Sequence, residues 1–285
     1  MARSLASRSL AGCAGLLLAA ALTIALILAA LLLPLDPSAM DLGRAWAGPS
    51  AAHPLGCDGL GRDIAARLIA GTGTSFAIAG LALGLAVGLG FALGGVAGWI
   101  GGRADAAVLR LADLLHGFPE LSLAIVASAL LGPGTDAVVL TLALAAWPSQ
   151  VRWCRALTLS NRTAEHVAAA TALGAGPKHT LRHHLLPAVA GPVAIRAALS
   201  IGPVMVAEAT LSGLGLGIQE PEVSLGTLIR DGLADLRGAP HLIAATTVTV
   251  AAIALAINLL AESLREGLDP RGTPVRWPRP FRRRP

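Results

Sequence analysis

Charged residues, aromatic residues and lysine are all scarce in this sequence. Charged side chains make up 14% of the 285 residues and aromatic ones 3%, tyrosine is absent, and Lys178 is the only lysine. A soluble domain carries about 25% charged residues, so too few are present here to cover a surface that faces water. A transmembrane β-barrel is disfavoured as well, because it needs girdles of aromatic residues. The composition excludes a soluble enzyme and indicates helices embedded in a lipid bilayer.

Cysteines and the motifs of common catalytic sites are also few. The three cysteines, Cys13, Cys57 and Cys154, have no paired spacing, so neither a disulfide framework nor a CxxC metal site is expected. The chain contains no GxSxG motif and no GxxxxGK[ST] motif of a P-loop. His179 and His183 have the spacing of helical metal ligands, but the glutamate of an HExxH motif is missing between them. We therefore predict no catalytic residue, no metal site and no bound cofactor in this chain.

Long apolar runs, by contrast, are plentiful. Three charge-free runs, within 9–36, 68–102 and 238–261, approach or exceed the roughly 20 residues that cross a bilayer core. The segments 121–135 and 137–151 are shorter, and each can lengthen into its flanking turns, the first backwards across 111–118 and the second forwards to residue 153. A re-entrant hairpin is the alternative for these two. A sixth apolar stretch, between residues 187 and 218, is interrupted by one arginine and one glutamate.

The distribution of basic residues orients these segments. Basic residues of a multispanning protein collect on the cytoplasmic side. With the N-terminus inside and six crossings, 17 of the 22 lysine and arginine residues lie in cytoplasmic segments. The net charge of +5 does not indicate nucleic-acid binding, because no basic patch is interleaved with aromatic residues. The sequence thus predicts an all-α polytopic membrane protein with six transmembrane helices and both termini in the cytoplasm.

The predicted organisation follows from these boundaries. The first span is longer than the apolar region of about 7–15 residues in a signal peptide and has no clear cleavage site, so we interpret it as a retained helix. The predicted parts are a cytoplasmic N-terminus at 1–9, a first transmembrane helix at 10–33, an external segment at 34–72, a transmembrane core at 73–262 that includes a cytoplasmic loop at about 154–190, and a basic, disordered cytoplasmic tail at 263–285.

Glycines recur at every fourth position of the second span. Glycine at this spacing forms a flat strip on one helix face and lets another helix approach closely. The pattern predicts tight packing and does not distinguish internal packing from a subunit interface. The two series are Gly80, Gly84 and Gly88, and Gly90, Gly94 and Gly98.

Glu208 is an acid inside an apolar segment. Such a residue is expensive to place in a membrane and is a functional candidate by default. It lies twelve residues after Arg196, about 18 Å along a helix, so the two do not pair within one helix. Two interpretations remain open, a place on a translocation pathway and a structural role with a polar partner on a neighbouring helix.

The cytoplasmic segment before the fifth span has the pattern of a docking element. Its alanine-rich residues 164–173 favour a helix, Gly174 is a good helix end, and Pro177 prevents simple continuation. A second amphipathic stretch follows at 178–186, and Pro187 is expected to begin the next span. A helix–turn–helix of this length exceeds what a connecting loop needs.

At these residues the chain resembles the permeases of ABC importers. Their coupling loop reads E-A-A, three residues, G, nine residues, I-x-L-P. Ala168 stands where that motif has glutamate and His184 where it has isoleucine, and Glu165, one helical turn earlier, is a candidate for the missing carboxylate. The residues that the resemblance assigns to ATPase coupling are Glu165, Ala168, Ala169, Ala170, Gly174, Leu186 and Pro187.

Three further segments resemble the C-type subunit of the dipeptide/oligopeptide/nickel branch. HPLGCDGLGRD at 53–63 is similar to its H-P-L-G-T-D-x-L-G-R-D signature, and AEATLSGLGLG at 207–217 to its A-E-A-x-L-S-F-L-G-L-G. The closing N-L-L and L-D-P-R occur at 258–260 and 268–271. The resemblance extends from about residue 34 to 271, with several motifs in one order.

The resemblance implies a role and a set of partners. The chain is expected to form a heterodimer with a B-type permease in a bacterial inner membrane. Two ATPase subunits that bind ATP and Mg²⁺ would dock on residues 163–187, and an external solute-binding protein would deliver peptides or nickel. The competing hypothesis is a self-sufficient secondary transporter with Glu208 as its ion or proton site, which predicts an internal repeat that the sequence does not show clearly. An intramembrane enzyme is disfavoured, because no nucleophile–base pair is evident.

Overall fold

The computed structural model of the protein describes residues 36–268, with side chains up to residue 259. The predicted N-terminus at 1–9 and first transmembrane helix at 10–33 lie outside the described residues, as does most of the predicted tail at 263–285. Within the described residues the chain is helical, apart from one isolated bridge between Cys57 and Asp63. The helices are α1 (Ile64–Leu89), α2 (Val96–Ile100), α3 (Gly102–His116), α4 (Glu120–Leu131), α5 (Thr135–Arg162), α6 (Glu165–Ala172), α7 (Pro177–Thr180), α8 (Leu186–Gly213), α9 (Leu225–Ala234) and α10 (Pro240–Leu268).

Two π-helical turns join neighbouring helices into longer rods. The turn Gly90–Gly95 connects α1 to α2, and the turn Leu181–Leu185 connects α7 to α8. By length and composition, three helices in the described part of the chain could cross a bilayer: Ile64–Ile100, Pro177–Gly213 and Pro240–Leu259. The bent pair of α3 and α4 adds a fourth if it is counted as one broken span.

The two short apolar segments behave differently from each other. The second segment, 137–151, extends forwards as expected, because α5 is one helix from Thr135 to Arg162. The backward extension of the first segment, 121–135, is not a straight helix, since the chain turns by 89° between α3 and α4, as in a broken span or a re-entrant loop. Pro119 disfavours a helical conformation at the residue before it, so the helix breaks there. The remaining α4 has 12 residues, about 18 Å, which is too short to cross a bilayer core alone.

The expected helix start at Pro187 is also wrong. Residues 178–186 do not form a separate amphipathic helix, because the helix runs without a break from Pro177 to Gly213. Proline lacks an amide hydrogen and crowds the preceding turn. The π-turn at 181–185 lies immediately before Pro187, where the helical hydrogen-bonding register changes. The stretch after Gly176 is therefore an N-terminal extension of α8.

Helix α5 is at the centre of the packing, with contacts to α1, α2, α3, α4 and α8. Helix α1 packs against α5 and α8, and α9 contacts both α8 and α10. The main core consists of aliphatic side chains from these helices, such as Ile78, Leu142 and Leu211. Two of the helices begin with side-chain caps: Asp63 accepts from the Ala66 amide at 2.9 Å before α1, and Ser224 begins α9 with a capping box.

Candidate functional site

The helix–turn–helix expected in the 163–187 segment is present. Helix α6 ends at Ala172, and Gly174 follows with φ +88°, a backbone conformation that residues other than glycine rarely adopt. The Ala175 amide donates to the carbonyl oxygen of Ala170 at 3.0 Å, which closes the turn. Pro177 then occupies the first position of α7, where its missing amide hydrogen costs nothing.

Helix α6 has an inner and an outer face. Val167 and Ala170 are buried against the rest of the protein, while Ala168 and Ala169 are exposed. Leu173, just after the helix, is 89% exposed. The alanine face is thus small and accessible, and a large apolar side chain stands beside it. This arrangement allows a partner groove to approach the backbone closely.

The other residues assigned to coupling lie around this face. Glu165 is exposed in the first turn of α6, one turn before Ala168. Leu186 is half-buried and Pro187 is exposed in the first turn of α8. The structure therefore brings the predicted coupling residues to one protruding segment, with Ala170 as the inward-facing member.

Glu208 lies within the buried helix contacts. It is fully buried, and its two carboxylate oxygens accept hydrogen bonds from Ser75 in α1 and Ser212 in α8, each at 2.7 Å. The Ser75 hydroxyl oxygen accepts in turn from the Leu225 amide at 3.2 Å, and that of Ser212 from the Ile218 amide at 3.1 Å. Two relays of the same form therefore join the carboxylate to the start of α9 and to the loop before it. Of the two sequence interpretations, this geometry favours a polar partner on a neighbouring helix.

Two glycines let this network form. A Cβ on Gly226 would lie 2.6 Å from the carbonyl oxygen of Ala209 and 2.6 Å from Cβ of Ser212. A Cβ on Gly217 would lie 2.6 Å from Cα of Ser212. The glycine-rich end of the 207–217 motif is thus needed for close packing around the Glu208 network.

A second polar network lies outside the apolar helices, in the 53–63 motif. The Asp58 carboxylate pairs with Arg62 at 2.7 Å and with Arg67 at 2.5 Å. Arg67 also pairs with Asp231 of α9 at 3.0 Å, and Arg62 with Glu220 at 2.9 Å. The cluster fastens the segment before α1 to α9 and to the loop before α9. Sequence reasoning missed it, because two of the acidic partners, Glu220 and Asp231, are more than 150 residues away from their arginines along the chain.

Electrostatics of this cluster follow from its burial and its charges. Burial raises the pKa of Asp58, but hydrogen bonds from Arg62 and the charges of Arg62 and Arg67 outweigh it, so that the pKa lies below its usual range. The pKa of Glu220 is lowered by its hydrogen bond from Arg62. Both carboxylates are therefore ionised at neutral pH. Removal of one partner from such a cluster leaves an uncompensated charge, which is strongly destabilising.

The two glycine series face different surroundings. A Cβ on Gly90 would lie 3.1 Å from Sγ of Cys154, and one on Gly98 would lie 3.2 Å from Cγ of Arg155. A Cβ on Gly94 would overlap the backbone of Val151. This series packs tightly against α5. No atom lies within 4 Å of a Cβ built on any member of the other series, Gly80, Gly84 and Gly88.

The histidines of the 163–187 segment are close together. His179 and His183 stack with ring centroids 4.3 Å apart. Across the described residues, no group of three histidine, cysteine, aspartate or glutamate side chains is placed to hold a metal ion.

Comparison with known proteins shows relatives along most of the chain. Residues 90–273 match the family described as binding-protein-dependent transport system inner membrane component. The chain is 34% identical to the glutathione transport system permease protein GsiD of Pectobacterium atrosepticum over 241 residues, covering 84% of this chain and 80% of that protein. It is 36% identical to the nickel transport system permease protein NikC of Escherichia coli K12 over 238 residues, covering 84% and 86%. The expected resemblance is thereby confirmed, and the chain belongs to the family of binding-protein-dependent transport system inner membrane components.

Proposed function

We propose that this chain is one of two permease subunits of an ATP-driven importer in a bacterial inner membrane. It would pair with a B-type permease, take solute from an external binding protein, and respond to two ATPase subunits docked on residues 163–187. The observation that carries the proposal is the small, exposed alanine face of α6 beside Leu173, which one short turn joins to the helix Pro177–Gly213. Family membership supports the same role.

The turn after α6 gives this segment a mechanical consequence. Helices α7 and α8 form one continuous helix from Pro177 to Gly213, which begins directly after that turn. A displacement of α6 would therefore be passed through the turn to α8, the helix that holds Glu208. That carboxylate joins α8 to α1 and to the start of α9. Nucleotide-driven movement of the ATPases would thus tilt several packed helices together, as alternating access requires.

Family membership favours this role over a self-sufficient secondary transporter. Such a transporter would use Glu208 as its ion or proton site. The carboxylate is fully buried, and both of its oxygens are occupied by serine hydroxyls. The geometry favours a structural role for this acid within a permease driven by partner subunits.

The solute is proposed to be a peptide or nickel. The two relatives compared above are named for the transport of glutathione, a peptide, and of nickel. Vesicles containing the complete transporter would be supplied with a labelled dipeptide, glutathione or Ni²⁺ together with the cognate binding protein. ATP-dependent uptake of only one class assigns the solute, and uptake of neither refutes the substrate proposal.

The topology proposed is six transmembrane helices with both termini in the cytoplasm. Reporter fusions that are active on only one side of the membrane, placed after residue 60, within 174–176 and at the C-terminus, would test it. An external reporter at residue 60 and cytoplasmic reporters at the other two sites are expected. An external reporter at 174–176 would contradict the proposed docking of ATPases.

Coupling is tested by charge substitution on the alanine face. The chain is co-expressed with its B-type permease and ATPase subunits, purified through a tag on this chain, and assayed for bound ATPase and for ATP hydrolysis. Ala169→Glu places a charge on the exposed face and is expected to reduce retained ATPase about 10-fold or more, because a desolvated, unpaired charge costs several kcal/mol.

Ala106→Glu provides the matched control. It makes the same change at an exposed alanine of α3, outside the proposed docking segment at residues 163–187. This variant is expected to retain the ATPases. Full retention and coupled hydrolysis in Ala169→Glu would overturn the proposed docking surface.

A further inference from the structure

Arg196 is an unusual residue in α8. It is the only charged residue between Leu186 and Ala207, in a helix that could cross a membrane. An ionised side chain inside such a segment is costly and implies a partner. The partner must be sought around the guanidinium group.

The guanidinium group packs on an aromatic ring but has no anionic partner among the described residues. Its central carbon lies 4.8 Å from the ring centroid of Trp153 in α5, a cation–π distance. Its Nε is enclosed and has no hydrogen-bond acceptor. Among the described side chains, no carboxylate lies within ion-pair distance of Arg196. The side chain as a whole is only half-buried, so its terminal nitrogens are the part that an outside acceptor can reach.

Neighbouring arginines in α5 are satisfied differently. Arg152 pairs with Asp113 of α3, and Arg155 pairs with Asp105 of the same helix at 2.6 Å. Trp153 lies between these two arginines in sequence. The acids of α3 therefore neutralise the two α5 arginines, and the α8 arginine beside them keeps a free charge.

Depth in the membrane limits what can supply the anion. Arg196 lies 17 residues before Gly213, where α8 ends, so about 25 Å of helix, most of the thickness of a bilayer core, separates it from that end. A long arginine side chain at this depth reaches back toward the interface. Tryptophan is enriched at the same level of a bilayer. The anions that are present in quantity at this level are lipid phosphates.

We propose that Arg196, held against the Trp153 ring, binds the phosphate of an anionic phospholipid in the leaflet next to the docking segment. The planar guanidinium presents paired donors that match phosphate oxygens. Stacking on Trp153 fixes the orientation of this fork and leaves its outer edge free. The inference requires only that the chain spans a membrane, and it is independent of the proposed ATPase coupling.

The test measures lipid retained by the complete transporter. Complexes are reconstituted in nanodiscs of phosphatidylcholine with or without phosphatidylglycerol, released, and examined for bound phosphatidylglycerol by native mass spectrometry. Arg196→Met is expected to lower the bound fraction about 10-fold, because it removes the charge-assisted hydrogen bonds to the phosphate. Trp153→Leu removes the platform and is expected to lower it several-fold. Trp153→Phe keeps an aromatic face and should have a smaller effect.

Arg110→Met is the matched control. It removes an exposed arginine of α3, outside the α5–α8 contact, and should leave the bound fraction unchanged. If Arg196→Met does not assemble, Arg196→Lys decides the question, because it keeps the charge, loses the planar fork and should retain less lipid than wild type.

Three outcomes would overturn the proposal. Equal phosphatidylglycerol retention in all variants would show that Arg196 does not bind the lipid. Release of the lipid by inorganic phosphate at millimolar concentration, with the phosphate itself retained in phosphatidylcholine discs, assigns the anion to solution. Loss of the B-type permease from Arg196→Met with lipid retention unchanged assigns the anion to a carboxylate of that partner.

Discussion

Replacement of Gly94 by alanine places a methyl group against the backbone of Val151. The new Cβ would overlap the carbonyl oxygen and lie 2.9 Å from the carbonyl carbon and 3.0 Å from Cα. These are main-chain atoms of α5 and cannot rotate away as the end of a flexible side chain can. Overpacking of this kind costs about 1–3 kcal/mol, and the gain of about 0.5–1 kcal/mol from removing a helical glycine offsets only part of it.

Gly84 supplies the matched control in the same rod. No atom lies within 4 Å of a Cβ built there, so Gly84→Ala keeps the propensity gain without the clash. We expect Gly94→Ala to destabilise the chain by about 1–2 kcal/mol and Gly84→Ala to be neutral or slightly stabilising. The opposite signs arise mainly from packing, because both substitutions are glycine to alanine in helical backbone, Gly84 in α1 and Gly94 in the π-turn that follows it.

Thermal unfolding in detergent with a thiol-reactive fluorescent dye measures this difference. Cys57 and Cys154 are buried, so they react with the dye only after the helices separate. The chain is assayed without partners and with Cys13 changed to serine, which removes a thiol outside the described residues. The reasoning is refuted if Gly94→Ala has the same unfolding temperature as the wild type, or if both variants are destabilised by the same amount.

Three further predictions concern the polar networks and the docking turn. Glu208→Gln should lower the unfolding temperature by an amount equivalent to about 1–3 kcal/mol, because the amide nitrogen of glutamine cannot accept the hydrogen bond that one of the two serine hydroxyls donates to the carboxylate. Complexes that still assemble should keep ATP-driven uptake; abolished uptake in a fully stable complex would instead revive the secondary-transporter hypothesis. Asp58 has a lowered pKa in the folded chain, so its contribution to stability is complete above about pH 5 and is lost as the pH falls through that lowered pKa. Unfolding midpoints measured between pH 3 and 6 should therefore fall on the acid side, and Asp58→Asn should make this fall shallower. An unchanged pH dependence in Asp58→Asn would contradict the prediction. Gly174→Ala should lower the free energy of unfolding by about 1–2 kcal/mol, because φ is +88° there, and should weaken ATPase retention. The control Gly176→Ala, with φ −68° and no atom near its Cβ, should behave as wild type.

Local signals in the sequence predicted the helix and the turn of the 163–187 segment well. The alanine run and Gly174 predict a short helix and its end, and the structure has α6 at Glu165–Ala172 with a left-handed glycine two residues later. These features depend on propensity and on glycine's conformational freedom, which act within a few residues. The start of a new helix at Pro187 was wrong, because a π-turn just before it allows the helix to continue.

Tertiary structure decided the partners of the charged and small residues. Hydropathy identifies Glu208 as an exceptional acid, but only the packing of α1 against α8 brings Ser75 to it. The spacing of the glycines predicts flat strips, but only the positions of the helices distinguish the Gly94 strip, which meets α5, from the Gly84 strip, which meets no atom of the described chain. Asp58 and Asp231 are likewise joined through Arg67 by folding alone.

The amino-acid sequence by itself determined that the protein is helical, that it belongs in a membrane and that it resembles importer permeases. Composition, apolar run length and short motifs are properties of neighbouring residues, and they can be read along the chain. The three-dimensional arrangement alone decided which acids are neutralised, which glycine face is covered and which arginine keeps a free charge, because each of these depends on side chains that are distant in sequence and adjacent only after folding.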